Sequence, residues 1–340
     1  MKRTVTFGEI MLRLKTPEHM RILQTDAFEA SYGGAEANVA VSLAVLKDPV
    51  SFVTKLPENP VGTAALNEVR RYGADTSKVV IGGSRLGIYF FEKGTDIRPT
   101  NVVYDREGSA LALAKPEEFH WDEILKDTDI FYFSGVTPAV SENIAKAVLE
   151  ALKYCKAHGI ETVCDLNYRS KMWDTKKAQS VMSELMNYVT LCIANDEDFE
   201  SSLGIHAYDG DISKGIDQIE SYKAGMKEIQ NRYPNCKAVA SVLRNMYTAE
   251  DGDWMAIYLK DGVFYESPVH KVHSFEAVGA GDAFGAGLIH AMLHDFEPQK
   301  AIDFAISASV LKLMIQHDAN VASETEIEQI MKQGGTNLQR

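Results

Sequence analysis

The chain has 340 residues, of which 45% are hydrophobic and 24% are charged, a composition typical of a folded enzyme and not of a disordered chain. Acidic residues outnumber basic ones by 48 to 35, and the net charge of −13 argues against nucleic acid or an anionic membrane as a partner. No stretch approaches the roughly 18 consecutive apolar residues of a membrane helix. Glu9 and Arg13 interrupt the only N-terminal segment that resembles a signal peptide, so we expect a cytoplasmic protein.

The four cysteines give no indication of a zinc site. They show neither a CxxC pair nor a Cys/His ligand spacing, and two of them, Cys164 and Cys192, fall within strand-like runs. The sequence therefore predicts reduced thiols that pack as small apolar side chains.

Strand-like runs alternate with helical patterns over most of the chain. The strand-like runs are VTFG, SFVTKL, IFYFSGV, ETVCDLN, TLCIAN and CKAVASV, and the helical patterns cover 36–46, 62–72, 141–158, 176–188 and 216–232. This alternation predicts an α/β fold in which a doubly wound, mainly parallel sheet is flanked by helices. We expect a single domain over residues 1–335.

Two segments lack the alternation, and the last hundred residues add further elements. Residues 11–33 and 87–113 carry strand-like runs without a helix, which predicts a small β-sheet lid over the carboxyl ends of the parallel strands. The run WMAIYLKDGVFYESP predicts a hairpin that turns at Asp261-Gly262. Helices are expected near 281–294, 299–317 and 324–333.

The stretch EAVGAGDAFGAGL, residues 276–288, is the most informative motif. A turn followed by a helix explains one or two of its glycines, but glycine inside a helix is unfavourable, and here small residues continue through Gly287. A dinucleotide fingerprint requires G-x-G-x-x-G, whereas the spacing here is one residue longer. A Walker A loop requires a G-K-[ST] that is absent.

A phosphoryl-transfer loop accounts for the whole motif. The backbone N–H groups of Gly279, Ala280, Gly281 and Asp282, together with the positive end of the following helix, would form an anion hole. Asp282 would accept the hydrogen bond of an attacking hydroxyl and collect its proton late in a loose transition state. We prefer this interpretation.

These residues carry a resemblance to a known family. EAVGAGDAFGAG resembles the carboxyl-terminal D-T-x-G-A-G-D signature of the ribokinase-like (PfkB) carbohydrate kinases, and SYGGAEANVAVSLAVL resembles their amino-terminal Gly-Gly-x-x-x-Asn signature. The resemblance spans nearly the whole chain. It implies the ribokinase-like fold with a β-sheet lid, ATP with Mg²⁺, and Asp282 as catalytic base. It leaves open whether a monovalent cation is required.

Several polar residues are candidates for binding the acceptor substrate. Gly33 and Gly34 would let the backbone approach a ligand, and an asparagine side chain suits a polyol. Arginines at the end of a strand and in the lid would bind a carboxylate bidentately. The candidate residues are Gly33, Gly34, Asn38, Tyr89, Tyr104, Arg106, Arg169 and Asp318.

The Asn-Tyr-Arg of DLNYRSKMW and the Tyr-x-Arg of VVYDREG resemble the 2-keto-3-deoxygluconate kinase branch of the family. That resemblance implies phosphorylation of an acid sugar at its 6-hydroxyl. A kinase for a neutral sugar on the same scaffold is the alternative enzyme, and a non-catalytic sugar-binding protein is the alternative of another class.

The nucleotide end of the site departs from the family pattern. The Asn-x-x-Glu motif becomes Asn195 with Asp198, the predicted metal ligands, and Glu197 is a rival acid. The usual nucleotide loop is replaced by SVLRNMYTAEDGDW. The predicted nucleotide-binding residues are Asn167, Asn195, Ser241, Arg244, Gly279 and Gly281. Glu276 stands where the family has aspartate, and the apolar lid favours a homo-oligomer formed through it.

Overall fold

The computed structural model describes residues 2–333. The strands within this range are β1 (Thr4–Phe7), β2 (Met11–Lys15), β3 (Glu29–Gly33), β4 (Val50–Val53), β5 (Lys55–Leu56), β6 (Val80–Ile81), β7 (Ile88–Glu92), β8 (Asn101–Asp105), β9 (Ile130–Ser134), β10 (Glu161–Asp165), β11 (Leu191–Ile193), β12 (Ala238–Met246), β13 (Asp251–Lys260), β14 (Val263–Glu266) and β15 (His270–His273). The helices are α1 (Ala35–Val45), α2 (Pro60–Arg70), α3 (Trp121–Ile124), α4 (Val136–Val140), α5 (Glu142–His158), α6 (Thr175–Leu185), α7 (Asp198–Leu203), α8 (Ile219–Arg232), α9 (Ala280–Leu293), α10 (Pro298–Lys312) and α11 (Glu324–Gln333). None of these helices combines the length and apolarity needed to cross a membrane.

The main sheet confirms the predicted fold class. Its strand order is β14-β13-β12-β11-β10-β9-β1-β4, with β15 added on β13. The strands from β12 to β4 are parallel, and β13, β14 and β15 are antiparallel. Alternate side chains enter two separate cores: Phe133 and Cys164 face α5, whereas Tyr132 and Val163 face α1 and α9. Helices therefore cover both faces of the sheet.

A second sheet, in the order β3-β2-β7-β8, confirms the predicted lid. The central pair, β2 and β7, is parallel, and the outer pairs are antiparallel. Met11, Tyr89 and Phe91 form a small apolar cluster on the face turned towards the main sheet. The lid therefore covers the edge at which the parallel strands end.

Two C-terminal elements test the predicted boundaries. The hairpin is confirmed, with Asp261 at φ 51° and Gly262 at φ 76°, the left-handed pair that a tight two-residue turn needs. Helix α10 ends at Lys312, although apolar periodicity predicted it to 317. The chain turns there and brings Asp318 beneath the lid.

Helices α9 and α10 pack so closely that one glycine is required at their contact. A Cβ built at Gly287 would lie 2.7 Å from the Cα of Ala305, whereas one built at Gly285 would meet only side-chain atoms at 3.5 Å or more. Backbone cannot yield to an added methyl group as a side chain can.

We therefore expect opposite effects from two matched substitutions in α9. Gly287→Ala should lower the free energy of unfolding by about 1–3 kcal/mol because the two helices must separate. Gly285→Ala should raise it by up to about 1 kcal/mol because alanine is the better helix former. Urea unfolding of both variants tests this expectation, and a Gly287→Ala variant as stable as Gly285→Ala would contradict it.

Candidate active site

A cavity of about 780 Å³ lies between the lid and the carboxyl ends of the parallel strands. It is lined by nearly all of the residues that the sequence analysis singled out: Gly34, Asn38, Tyr89, Tyr104, Arg106, Asn167, Arg169, Asn195, Asp198, Arg244, Gly279, Ala280, Gly281, Asp282 and Asp318. Gly33 and Ser241 are the two exceptions. The sequence motifs thus meet in one place, and the roles predicted for the individual residues remain predictions.

The 279–282 loop opens α9 and faces the cavity. Gly279 has φ 80°, and a Cβ there would lie 1.8 Å from the carbonyl oxygen of Asp318, so two constraints require glycine. A Cβ at Gly281 would meet only Asp165 Oδ2, at 4.0 Å, which leaves open space beside the loop. The N–H of Ala280 donates to the carbonyl of Ala277 at 3.2 Å and is not free for an anion. This corrects the expectation of four converging N–H groups, and leaves the first-turn N–H groups of Gly281 and Asp282 without an intrahelical acceptor.

Asp282 is buried, and Asn38 holds its carboxylate. The Asn38 Nδ2 donates to Asp282 Oδ2 at 2.7 Å, while Oδ1 has no hydrogen-bond partner among residues 2–333. Burial raises the pKa of Asp282 to about 7, with Glu36 and Asp318 acting in the same direction and Asn38 and Arg169 opposing it. Such a carboxylate is a stronger base than an exposed aspartate. Asn38, predicted to contact substrate, here orients the candidate base.

A buried ion network lies directly behind the loop and gives Glu276 its role. Arg13 Nη1 lies 2.5 Å from both Glu276 Oε1 and Asp318 Oδ1, and all three side chains are essentially inaccessible to solvent. Lys15 adds a contact of 3.1 Å to Glu276 Oε2. Burial would raise the pKa of Glu276, but Arg13 and Lys15 outweigh it and hold that pKa below its ordinary value. The lid strand β2 is thereby tied to the segment that leads into the 279–282 loop.

Asp318 is the second anchor of this network. Its Oδ2 accepts a short hydrogen bond from the Tyr89 hydroxyl, so both carboxylate oxygens are used within the protein. A Cβ at Gly33 would meet that carboxylate at 2.2 Å, and one at Gly34 would meet the carbonyl oxygen of Glu9 at 1.9 Å. The two glycines therefore permit close packing of protein on protein, and not only the approach of a ligand that the sequence suggested.

Lys312 contributes a further buried charge that the sequence analysis missed. Its Nζ donates to the carbonyl of Glu276 at 3.3 Å and to that of Ile315 at 3.0 Å. Burial lowers the pKa of Lys312 to about 8, although Glu276 and Asp318 oppose the shift. The ammonium holds together the two backbone segments that support the 279–282 loop.

The two arginines predicted to bind a carboxylate differ in how they are held. Arg106 pairs with Glu9 through Nη2, and its buried Nε has no hydrogen-bond partner within the described chain. Arg169 donates to the carbonyl of Tyr168 at 2.8 Å. No carboxylate among residues 2–333 forms an ion pair with Arg169. The cavity therefore contains cationic donors that the protein itself does not fully use.

Hydrogen bonds to the backbone shape the end of the cavity that the sequence predicted to bind the nucleotide. Asp198 accepts from the N–H groups of Tyr168 and Asn195 at 2.7 and 2.9 Å, and Asn195 Oδ1 accepts from the N–H of Val242 at 2.8 Å. Both predicted metal ligands thus have structural tasks, and their metal role remains a prediction. Ser241 is fully buried and does not line the cavity, because its side chain points into the opposite side of β12 from the cavity-lining Val242. Arg244 pairs with Asp196.

Asp165 is the acid that the motif search passed over. It ends β10, it is 2% exposed, and its Oδ1 has no hydrogen-bond partner among residues 2–333. Burial, followed by the nearby charges of Asp198 and Asp282, raises its pKa well above the ordinary value. Its position at the end of a parallel strand, two residues before Asn167, was the available signal.

Comparisons with known proteins agree with this geometry. The family model described as pfkB family carbohydrate kinase matches residues 1–326. The crystal structure of a 2-dehydro-3-deoxygluconokinase from Thermotoga maritima has a TM-score of 0.93 at 43% identity and covers 97% of this chain and 99% of that chain. A 2-dehydro-3-deoxygalactonokinase from Haloferax volcanii is 32% identical over 336 residues, 99% of this chain and 98% of the relative.

A more distant structure shares the fold. A putative ribokinase II from E. coli, solved in complex with ATP and Mg²⁺, has a TM-score of 0.82 at 17% identity and covers 98% of this chain and 99% of that chain. At 17% sequence identity, the similarity is evidence for a shared fold and for nothing further.

The ion network predicts a pH-dependent loss of stability in one variant. Glu276→Gln should lower the free energy of unfolding at pH 7 by about 3 kcal/mol, because Arg13 and Lys15 lose a buried counter-charge. Since the folded pKa of Glu276 is lowered, its stabilisation is present above the unfolded pKa and is lost as pH falls. Urea unfolding should therefore show a smaller difference from wild type at pH 4 than at pH 7.

Glu29→Gln is the matched control for this experiment. Glu29 also pairs with Lys15, at 3.6 Å, but its side chain is 51% exposed. Its loss should therefore change stability by less than about 1 kcal/mol. Equal effects of the two substitutions would contradict the importance assigned to the buried network.

Proposed function

The chain belongs to the pfkB family of carbohydrate kinases, and from this premise we propose that it phosphorylates a keto-deoxy sugar acid, 2-keto-3-deoxygluconate, at its 6-hydroxyl. It is an ATP-dependent carbohydrate kinase. The observation that carries the choice of substrate is the pair of incompletely used arginines, Arg106 and Arg169, in the same cavity as Asp282. An acid sugar presents a carboxylate at one end and a primary hydroxyl at the other.

Asp282 acts on the acceptor hydroxyl. With Oδ2 held by Asn38, Oδ1 is left to accept the hydrogen bond of the 6-hydroxyl. That oxygen attacks the γ-phosphorus of ATP, the bond between this phosphorus and the β,γ-bridging oxygen breaks, and the proton passes to Asp282 as the new bond forms. The N–H groups of Gly281 and Asp282 and the positive end of α9 stabilise the charge on the transferring group.

The arginines fix the opposite end of the substrate. Arg106 is held by Glu9, so its guanidinium would lose little side-chain entropy on binding a carboxylate. Arg169 forms no ion pair within residues 2–333 and can turn towards a carboxylate. Tyr104 lies beside Arg106, with the guanidinium 5.7 Å from the centre of the ring. A neutral sugar would leave Arg169 without a counter-ion and would add none to the pair that Arg106 forms with Glu9.

ATP and Mg²⁺ fit the acidic end of the cavity. Asp165 Oδ1 has no hydrogen-bond partner among residues 2–333, and Asp165 is repelled by Asp198 and Asp282. A cation bound there would offset this repulsion, and Mg²⁺ prefers carboxylate ligands. Asp165, with Asn195 and Asp198, would hold the ion, and Arg244 and Asn167 line the adjoining wall. When bound, Mg²⁺ neutralises phosphate charge.

The two relatives are named for different acids, the gluconate and the galactonate forms, which differ in configuration at C4. Both carry the carboxylate that Arg106 and Arg169 would bind, so both belong to the proposed class. A neutral-sugar kinase is the second candidate, in which the arginines would be structural. The buried, oriented Asp282 favours catalysis over simple sugar binding.

Pairing of two chains through the lid is also proposed. The outer face of the lid carries Phe28 and Phe90, which contact each other edge to face at 5.6 Å, and Val103, which is 46% exposed. Burial of such an apolar sheet face against a second chain would stabilise the pair.

Arginine replacement tests the substrate class. Arg169→Ala should reduce kcat/KM for 2-keto-3-deoxygluconate by at least about 30-fold, since a desolvated charge pair is worth roughly 2–5 kcal/mol. ATP consumption should be assayed against both acid epimers, fructose and ribose. Arg85→Ala is the control, because Arg85 pairs with Asp105 at 3.0 Å and does not line the cavity. A wild-type preference for a neutral sugar would refute the proposal.

The raised pKa of Asp282 predicts a pH profile. At saturating MgATP, kcat/KM for the acid sugar should fall as pH drops through about 7, because the base must be ionised.

Asp282→Asn should lower turnover by roughly 10²–10⁴-fold. Asp295→Asn, just beyond the other end of α9 and 80% exposed, should leave turnover unchanged. Turnover within threefold of wild type in Asp282→Asn would rule out Asp282 as the base.

A further inference from the structure

Four side chains meet outside the cavity, towards the far end of α9, and we call them the Asp48 cluster: Asp48, His290, His294 and Glu324. His290 lies in the last turn of α9, about 12 Å along the helix from Asp282, and His294 directly follows the end of that helix. His290 Nδ1 lies 2.7 Å from Asp48 Oδ2, and His294 Nε2 lies 2.8 Å from Asp48 Oδ1. Glu324 Oε1 is 3.7 Å from His290 Nε2.

Both ring nitrogens of the buried His290 lie next to carboxylates. The His290 and Asp48 side chains are only 1% and 3% exposed, and His290 Nε2 has no hydrogen-bond partner in the described part of the chain. A neutral imidazole has one N–H donor and one lone pair. If Nδ1 carries the hydrogen, the lone pair of Nε2 faces the Glu324 carboxylate. If Nε2 carries it, the lone pair of Nδ1 faces Asp48 at 2.7 Å.

In either neutral form, therefore, one ring nitrogen of His290 directs its lone pair at a carboxylate oxygen, and the two repel each other. A positive ion between His290 Nδ1 and Asp48 removes the conflict, because Nε2–H can then point towards Glu324 while Nδ1 binds the ion. The ion is either a second proton on His290 or a metal. A fully buried imidazolium would lose its hydration, whereas a metal would also satisfy His294.

We propose that the Asp48 cluster is a binding site for a divalent ion of the Zn²⁺ class. Its ligands are His290 Nδ1, His294 Nε2 and one or both oxygens of Asp48, which lie within 4.8 Å of one another. Two histidines four residues apart on a helix, joined by a carboxylate, are a common donor set for zinc. Glu324 orients His290 through the other ring nitrogen, as carboxylates near metal-bound histidines generally do.

The surroundings are consistent with a preformed site. The His290 ring is stacked on Phe304 at 4.9 Å between centroids and meets Phe296 edge to face at 5.6 Å, so its orientation is fixed. His294 is 50% exposed and provides a path for the ion. Tetrahedral ligands with bonds near 2.1 Å stand about 3.4 Å apart. The nitrogen–oxygen distances of 2.7 and 2.8 Å would therefore open by roughly 0.6–0.7 Å. The ion would join the turn after α1 to α9 and α11.

Titration of the full-length, EDTA-treated chain with Zn²⁺ tests the site. We expect one equivalent to bind by calorimetry and the melting temperature to rise by several degrees with excess ion. Co²⁺ should give the visible absorption of a low-coordinate His/carboxylate complex. His294→Ala, which removes a half-exposed ligand, should weaken binding at least about 100-fold. Asp48→Asn should do the same.

His273→Ala is the matched control, because His273 forms an exposed pair with Asp251 at 2.7 Å that offers only two ligands. It should leave the Zn²⁺ stoichiometry and the melting shift unchanged. The proposal is overturned if the wild type binds no Zn²⁺ beyond the exposed histidines, or if His294→Ala binds as tightly as wild type. Stability that varies with pH but not with Zn²⁺ would also overturn it, since the cluster would then hold only a proton.

Discussion

Arg13 reaches from the lid into the interior and places one guanidinium group against both Glu276 and Asp318, with no access to solvent. An unpaired charge at such depth would cost several kcal/mol, so the three groups must fold together or not at all. Asp318 in turn leaves no room for a side chain at Gly33 or Gly279. The lid, the Gly33-Gly34 segment and the 279–282 loop are therefore positioned by one buried contact.

The same low-polarity surroundings determine the chemistry of Asp282. Burial desolvates its carboxylate, and Glu36 and Asp318 lie near enough to oppose its ionisation, so it holds a proton more tightly than an ordinary aspartate. Among residues 2–333 the ionised form has one direct donor, the Asn38 amide, so the greater basicity comes at a cost in stability. The pKa of Asp165 is raised by the same causes, burial and neighbouring carboxylates, so a cation bound beside it would favour its ionised form.

The sequence motifs predicted the fold and most of the residues that line the cavity. They did not predict the buried ion pairs that connect its walls. Glycine and aspartate spacing identified the 279–282 loop, and βαβ alternation identified the sheet. Arg13 and Lys15 were missed because the strand MLRLK alternates apolar and charged residues, a pattern that predicts charges facing solvent. The structure buries the charges and half-exposes the leucines, since their partners Glu276 and Asp318 lie some 260 residues or more further along the chain. Long-range ion pairs of this kind leave no local signal.

The account is tested most directly by a crystal structure of the chain with 2-keto-3-deoxygluconate and a non-hydrolysable ATP analogue. It predicts the sugar carboxylate within hydrogen-bonding distance of the Arg106 and Arg169 guanidinium groups, and the 6-hydroxyl on Asp282 Oδ1, in line with the γ-phosphate. A carboxylate bound away from both arginines, or a different hydroxyl on Asp282, would contradict it.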